Sequence, residues 1–178
     1  MARRPRVFIP NGIYHVASHG SDERPLFVYD ADRRAFLERL AEVVARYELS
    51  CLSYCLMGNH YHQIVQTPDE RLSAALKDLH GGYSREFNRT HSRRSHLFRN
   101  RFFAELIDDD AYLLQACRYV VLNPVRAGLC REPSDWPWSS YRSSAGIDPA
   151  PRFLSESLLR DACGGGENWR ARYRDFVA

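Results

Sequence analysis

The chain has 178 residues, of which 44% are hydrophobic and 12% aromatic, and its formal net charge is +3. These values are ordinary for one folded domain with its own core and exclude a disordered tail. No apolar run approaches the ~20 residues that span a bilayer, so we predict no membrane partner. The start of the chain shows no apolar core of signal-peptide length, so we expect a cytoplasmic protein. The cysteines lack paired spacing, so we expect reduced thiols.

The basic side chains are almost all arginine, because Lys77 is the only lysine among 25 basic residues. Arginine's planar fork suits phosphates and base edges, although genomic base composition also produces such a bias. Residues 84–102 hold six arginines and several phenylalanines against the single acid Glu86. Such a stretch is either a solvated loop or a nucleic-acid contact. The candidate DNA-binding residues are Arg85, Arg89, Arg93, Arg94, Arg99 and Arg101, together with Arg126 from a later helix.

The first half of the chain predicts strand, helix, hairpin and helix. Apolar residues that alternate from Arg6 onward predict an edge-forming first strand at residues 14–18. His15, within this strand, and His19, just after it, are interpreted as structural or surface residues. Acidic caps at residues 30–32 begin a helix that runs to about residue 47. Residues 49–57 and 60–66 predict a hairpin, with its turn at Gly58-Asn59. A second amphipathic helix follows over about 72–87, where Gly81-Gly82 predicts a bend or a close backbone approach.

The second half predicts one more strand, at residues 102–107, and then a helix capped by residues 108–110. We expect this helix to end near Asn123, because the residue before Pro124 disfavours helical geometry. Tyr119 and Asn123 are four residues apart and share a helical face, which Tyr112 also shares. The aromatic segment 136–141 is expected to pack on the body of the domain. Beyond residue 148 we expect a short helical appendage, which divides the chain into regions 1–148 and 149–178.

His60 and His62 are the most suggestive pair in the chain. In a strand their side chains point to the same face and can converge on one cation, although chance surface histidines are the commoner reading of this spacing alone. Two imidazoles leave a divalent ion under-coordinated, and the carbonyl oxygen of Asn123 could supply a third ligand for Mg²⁺ or Mn²⁺. A tyrosine facing such a site, here Tyr119, could attack phosphorus in a phosphodiester.

Four motifs occur in order: Leu56-Met57-Gly58-Asn59-His60-Tyr61-His62, then residues 95–102, 118–129 and 136–141. Together they resemble the single-tyrosine transposases of the IS200/IS605 type, and in particular the branch associated with palindromic repeats in bacterial chromosomes. The resemblance covers residues 5–141 and implies an α+β fold, with helices packed on a ferredoxin-like central antiparallel sheet. Gly58, where the family usually has proline, and Tyr61, where a plain apolar residue is commoner, depart from the family pattern.

The resemblance also implies a reaction. Tyr119 would attack single-stranded DNA and leave a 5′-phosphotyrosine and a free 3′-hydroxyl, and Asn123 falls where the family places its third metal ligand. We therefore expect a metal-dependent endonuclease and strand transferase acting on single-stranded or hairpin DNA, as a monomer or homodimer, in the cytoplasm and on the nucleoid when DNA-bound. Three alternatives remain open: a domesticated protein that binds repeats without cutting them, a hydrolase of small phosphate esters, and a two-tyrosine enzyme that also uses Tyr112.

Overall fold

A four-stranded antiparallel sheet organises the computed structural model, which describes residues 8–178. Its spatial order is β2-β3-β1-β4, and the strands are β1 (Ile13–His19), β2 (Ser50–Leu56), β3 (His60–Gln66) and β4 (Phe103–Ile107). The α+β class and the central antiparallel sheet are confirmed. Arg6 and Val7, where the predicted alternation begins, lie outside the described residues.

The prediction that the first strand lies at an edge is wrong. β1 pairs with β3 on one side and with β4 on the other. Its side chains divide between two buried layers, since Tyr14 and Val16 enter one hydrophobic cluster while Ile13 packs against the other. Alternation along a strand tells which residues share a face, but neighbouring strands are chosen by pairing with distant segments.

Two long helices cover the face of the sheet that carries Val16 and Tyr61. They are α1 (Asp30–Arg46) and α2 (Leu72–Thr90), and they bury apolar side chains such as Phe36 and Leu79 against the strands. α2 runs unbroken through the two glycines. The nearest atoms to a Cβ built at Gly82 belong to the Arg39 side chain of α1, so a side chain approaches the helix here rather than the predicted backbone.

The opposite face of the sheet is covered by α3 (Asp110–Arg126), which packs on β2 and β3. This helix continues through Pro124, so the predicted end near Asn123 is wrong. Proline lacks the N–H that would bond to the carbonyl of Val120 four residues earlier. The side-chain amide of Asn123 donates to that carbonyl at 3.3 Å, which replaces the missing bond and lets the last turn form.

The C-terminal segments pack against α3 and the edge of β2. Residues 136–141 run beside β2, where Leu56 N–H donates to the Trp138 carbonyl. The last three helices are α4 (Tyr141–Ser144), α5 (Ser157–Ala162) and α6 (Trp169–Val177). Trp169 and Tyr173 are buried in the same cluster as Val121 of α3. The division after residue 148 stays a prediction, but residues beyond it share the core of α3. None of the helices within residues 8–178 has the length and apolarity to cross a membrane.

Candidate active site

Four histidines meet on the α3 side of the sheet. The antiparallel register places His19 directly opposite His60, and Ala17 opposite His62, so that His15 is the diagonal neighbour of His62. Ring centroids are 5.2 Å apart for His60 and His62, 5.2 Å for His15 and His62, and 4.8 Å for His19 and His60. The strand therefore brings the two predicted histidines together, and β1 adds two more beside them.

Hydrogen bonds at Nδ1 set the orientation of the two central imidazoles. Nδ1 of His60 is 2.8 Å from Oδ1 of Asn59, an acceptor, so His60 donates from Nδ1 and keeps a lone pair on Nε2. Nδ1 of His62 is 3.0 Å from Nε2 of His15. With His62 as the donor of this bond, its Nε2 is also free. Both rings then present the nitrogen that a metal ion would use, held by outer partners.

Burial keeps these imidazoles neutral. Burial, together with the like charges of neighbouring histidines, lowers the pKa of His62 to about 3 and that of His60 to about 4. Burial also lowers the pKa of His15, against the opposing effect of Glu105. Neutral rings with free lone pairs at pH 7 suit a divalent cation, so the donor set fits the metal that the family resemblance implies.

Tyr119 projects from α3 toward these histidines. Its ring centroid lies 5.6 Å from that of His62 and 5.8 Å from that of His15, edge to face in both cases. The side chain is 41% exposed, so a substrate can reach it. The guanidinium of Arg126, two turns later, lies 5.0 Å from the centre of the Tyr119 ring. This cation attracts a phosphate to the place where the tyrosine lies.

Asn123 is one turn after Tyr119. Its amide nitrogen donates to the carbonyls of Tyr119 and Val120 at 2.8 and 3.3 Å, which leaves Oδ1 as the uncommitted atom. These hydrogen bonds tie the Asn123 side chain to its own helix rather than to an imidazole. Its oxygen is nevertheless of the kind that completes a site for Mg²⁺ or Mn²⁺.

Several of these groups, but not His60 or Asn123, line one open cleft of about 700 Å³, which we name the histidine cleft. Its lining includes His15, His19, His62, Tyr112, Tyr119 and Arg126. Tyr112 differs from Tyr119 in its surroundings. Partial burial, a hydrogen bond to Glu105 and the charge of Glu105 all raise the pKa of Tyr112, which disfavours its phenolate.

The predicted DNA-binding arginines fall into separate groups. Arg99 and Arg101 line a depression beside His19 that adjoins the histidine cleft, and Arg126 lies in the cleft itself. Arg93 lies over the ring of Phe87, and Arg94 is exposed in the turn after α2. Arg85 and Arg89 are exposed on α2, which covers the opposite face of the sheet. The structure therefore gathers three of the seven near Tyr119.

The sequence did not predict a place in this site for His15, His19, Glu105 or Asn59. A signal for the first two was present, because residues four apart in a strand share a face. Using it required the pairing of β1 with β3, which makes that face the one that carries His60 and His62. Glu105 lies in the site because β4 pairs with β1, which places Glu105 directly opposite His15.

The family model described as "Transposase IS200 like" matches residues 9–123, a span that contains both central histidines, Tyr119 and Asn123. The chain belongs to the IS200-like transposase family. A Haemophilus influenzae protein whose name describes it as a REP-associated tyrosine transposase is 25% identical over 152 residues, which cover 79% of this chain and 86% of that protein.

Solved structures agree on the fold. A REP-associated tyrosine transposase bound to a REP hairpin superposes with a TM-score of 0.70 and 17% identity, covering 87% of this chain and 92% of that one. The tRNA(His) guanylyltransferase of Saccharomyces cerevisiae shares the sheet arrangement more loosely, with a TM-score of 0.51 and 10% identity over 99% of this chain and 82% of that chain. The resemblance to single-tyrosine transposases and their repeat-associated branch is thus confirmed.

Proposed function

We propose that this transposase-family protein cleaves and rejoins single-stranded DNA at hairpin or palindromic repeats, with Tyr119 as the nucleophile and a divalent metal at His60, His62 and Asn123. The observation that carries the proposal is the packing of the Tyr119 ring 5.6 Å from the ring of His62, within the histidine cleft. A binder of DNA has no chemical need for a reachable tyrosine, free imidazole nitrogens and an adjacent arginine at one place.

The reaction is a transesterification at phosphorus. The phenolic oxygen of Tyr119 forms a bond to phosphorus, while the bond from phosphorus to the 3′ oxygen breaks. The phenolic proton leaves through the open cleft, and the released 3′ oxygen takes up a proton to become a hydroxyl. The DNA 5′ end stays esterified to the tyrosine. Attack by a 3′-hydroxyl on this ester reverses the step and joins strands.

Each residue has a separate task in this scheme. Arg126 lies over the Tyr119 ring, where its charge draws a phosphate toward the phenolic oxygen. His60, His62 and the Oδ1 atom of Asn123 would hold the metal, whose chemistry is to polarise the phosphodiester and draw off developing charge. Asn59 and His15 fix the orientation of the two imidazoles.

Hairpin DNA is the proposed substrate because a relative with the same fold was solved bound to a REP hairpin. The histidine cleft is open rather than deep, and its entrance carries Arg99 and Arg101. Arginine forks at such a rim suit a phosphate backbone, while the exposed ring of Phe103 offers a surface for an unpaired base.

The test is formation of a covalent adduct between the protein and a labelled hairpin oligonucleotide with a single-stranded flank, in Mg²⁺ or Mn²⁺. Denaturing gels should show the adduct for the unaltered protein and for Tyr112→Phe, which serves as the matched control, but not for Tyr119→Phe. His60→Ala should bind the oligonucleotide and form no adduct. An adduct that persists in Tyr119→Phe refutes the assigned nucleophile. Binding that is equal in chelator, with no cleavage in any metal, would instead favour a repeat-binding protein.

A further inference from the structure

A second cleft, of about 620 Å³, lies between α2 and the loop of residues 95–102. We name it the Lys77 cleft. One wall is a stripe of α2 residues at helical spacing, which are Ser73, Lys77, His80, Ser84 and Asn88. The other wall comes from the loop and includes Ser95, Phe98 and Arg101. A helix stripe that faces a cleft and is polar throughout indicates a surface built for a polar ligand.

The charges in this cleft are of one sign. Lys77 and Arg101 both line it and are exposed, and the described residues that form its walls include no carboxylate. Hydroxyl groups of Ser84 and Ser95 lie among these walls. Two cations with hydroxyl donors and no competing acid form a favourable environment for a phosphate group.

The floor is aromatic. The rings of His80 and Phe98 are stacked, with centroids 3.9 Å apart and planes inclined by 19°. Nε2 of His80 is hydrogen-bonded to the hydroxyl of Tyr61 at 2.7 Å, which anchors the stack to the sheet. Burial lowers the pKa of His80 to about 4, so the ring is neutral at pH 7. A flat neutral aromatic pair next to two cations is a platform on which a nucleobase can stack.

Asn88 supplies a fixed acceptor in the same cleft. Its Nδ2 donates to the carbonyl of Ser95 at 3.0 Å, which determines which end of the amide is the oxygen. Oδ1 is buried and has no hydrogen-bond partner among the described residues. A buried acceptor without a partner is costly, and an exocyclic amino group or a ring N–H of a base would satisfy it.

The Lys77 cleft and the histidine cleft are connected. Arg101 lines both the Lys77 cleft and the depression that holds Arg99, and this depression shares His19 and Phe103 with the histidine cleft. The loop between them is fixed to β1, because Arg99 N–H donates to the carbonyl of His19 at 2.9 Å. One strand can therefore run from Tyr119 past Arg99 and Arg101 into the Lys77 cleft.

We propose that the Lys77 cleft binds an unpaired nucleotide of the strand that is cleaved at Tyr119. Lys77 and Arg101 hold its phosphate, the Phe98 side of the ring stack supports its base, and Oδ1 of Asn88 accepts a hydrogen bond from the base. This inference rests on the proposed function, since it gives the same DNA strand a second point of attachment. It assigns a role in selecting the DNA to a site outside the histidine cleft.

The single lysine of the chain gives a direct test. A series of hairpin oligonucleotides is prepared, each with one abasic aldehyde at a different position of the flank or the stem. Each oligonucleotide is bound to the Tyr119→Phe protein in chelator and treated with cyanoborohydride. The aldehyde then links to a nearby amine. We expect a strong crosslink at one or two adjacent flank positions and none in the stem. Lys77→Arg keeps the charge, removes the amine and should abolish this crosslink, leaving only any reaction at the α-amino group. A signal that is uniform along the oligonucleotide, or absent while the oligonucleotide is bound, overturns the inference.

A charge reversal provides the second measurement. Lys77→Glu should weaken binding of the single-stranded flank about tenfold at moderate salt. Arg34→Glu makes the same charge change at an exposed position of α1 that does not line the cleft, and should alter binding by less than about twofold. Equal losses in both variants would mean general electrostatics and overturn the inference. Failure of the proposed function has a different signature, because the Tyr119 adduct would then be missing in metal even where the Lys77 crosslink forms.

Discussion

Replacing His15 tests whether this histidine orients His62, one of the proposed metal ligands. In His15→Phe the ring contacts to Phe103 and Tyr119, at centroid distances of 6.0 and 5.8 Å, can be kept. What disappears is the nitrogen 3.0 Å from Nδ1 of His62. The variant thus removes one hydrogen bond from a candidate ligand while the volume of the side chain changes little.

The expected loss follows from that single bond. A buried donor left without its acceptor costs about 1–3 kcal/mol, and His62 is only 7% exposed, so water cannot readily replace His15. Loss of an outer partner of a metal-bound histidine typically lowers metal affinity about 10–100-fold, which agrees with that range. We therefore expect Mn²⁺ to bind His15→Phe at least about tenfold more weakly.

The assay is a titration of Mn²⁺ followed by the electron paramagnetic resonance signal of the free ion, without DNA. His15→Gln places a carbonyl oxygen near the former Nε2 and should recover much of the affinity, whereas a merely structural role for His15 would not respond to this substitution. Asn59→Ala is the parallel change at His60 and should cost a similar factor. Mn²⁺ affinity that is unchanged in His15→Phe would refute the reasoning about orientation.

Three further predictions concern stability. Asn123→Ala leaves the Val120 carbonyl without the donor that Pro124 cannot provide, and should lower the free energy of unfolding by about 1 kcal/mol in urea titrations. In the folded protein the pKa of His62 is about 3 and that of His80 about 4, both below the ordinary 6.5. Their contribution to stability is therefore full above pH 6.5 and is lost as the pH falls, by about 2 kcal/mol per histidine at pH 5. A urea midpoint that does not change between pH 7 and pH 5 would contradict this prediction. Trp169→Ala should cost about 3–5 kcal/mol because the ring is buried, whereas a cost below about 1 kcal/mol would indicate a separable appendage.

The elements whose signals are local could be predicted from the sequence. The hairpin around Gly58 follows from two alternating runs and a turn, and α1 and α2 follow from apolar residues at helical spacing. The position of β1 inside the sheet is different, because it depends on pairing with β3 and β4 far along the chain. The roles open to His15 and His19 depend on that pairing, so the local pattern predicted only structural or surface residues.

Two other differences have equally specific causes. Proline disfavours a helix both by restricting the preceding residue and by leaving a carbonyl without its donor, and the Asn123 side chain offsets the second cost. The arginine-rich stretch predicted a surface for DNA, but α2 continues to Thr90, and its exposed Arg85 and Arg89 therefore lie on the opposite side of the sheet from Tyr119. Composition gives the charge of a segment, whereas the direction in which each charge points depends on where the helix ends.

The packing of Tyr119 against His62 within one chain leads to a prediction about assembly. Tyr119 packs on His62 of the same chain, and α3 is held between the sheet and the buried Trp169 and Tyr173 of α6. For the tyrosine to serve another copy, α3 would have to leave both surfaces and expose their apolar side chains, which is costly. A mixture of Tyr119→Phe with a His60→Ala, His62→Ala double variant should therefore form no covalent adduct at any ratio. If two copies shared their sites, the first variant would supply the histidines and the second the tyrosine. Adduct formation in the mixture would show that α3 exchanges between copies.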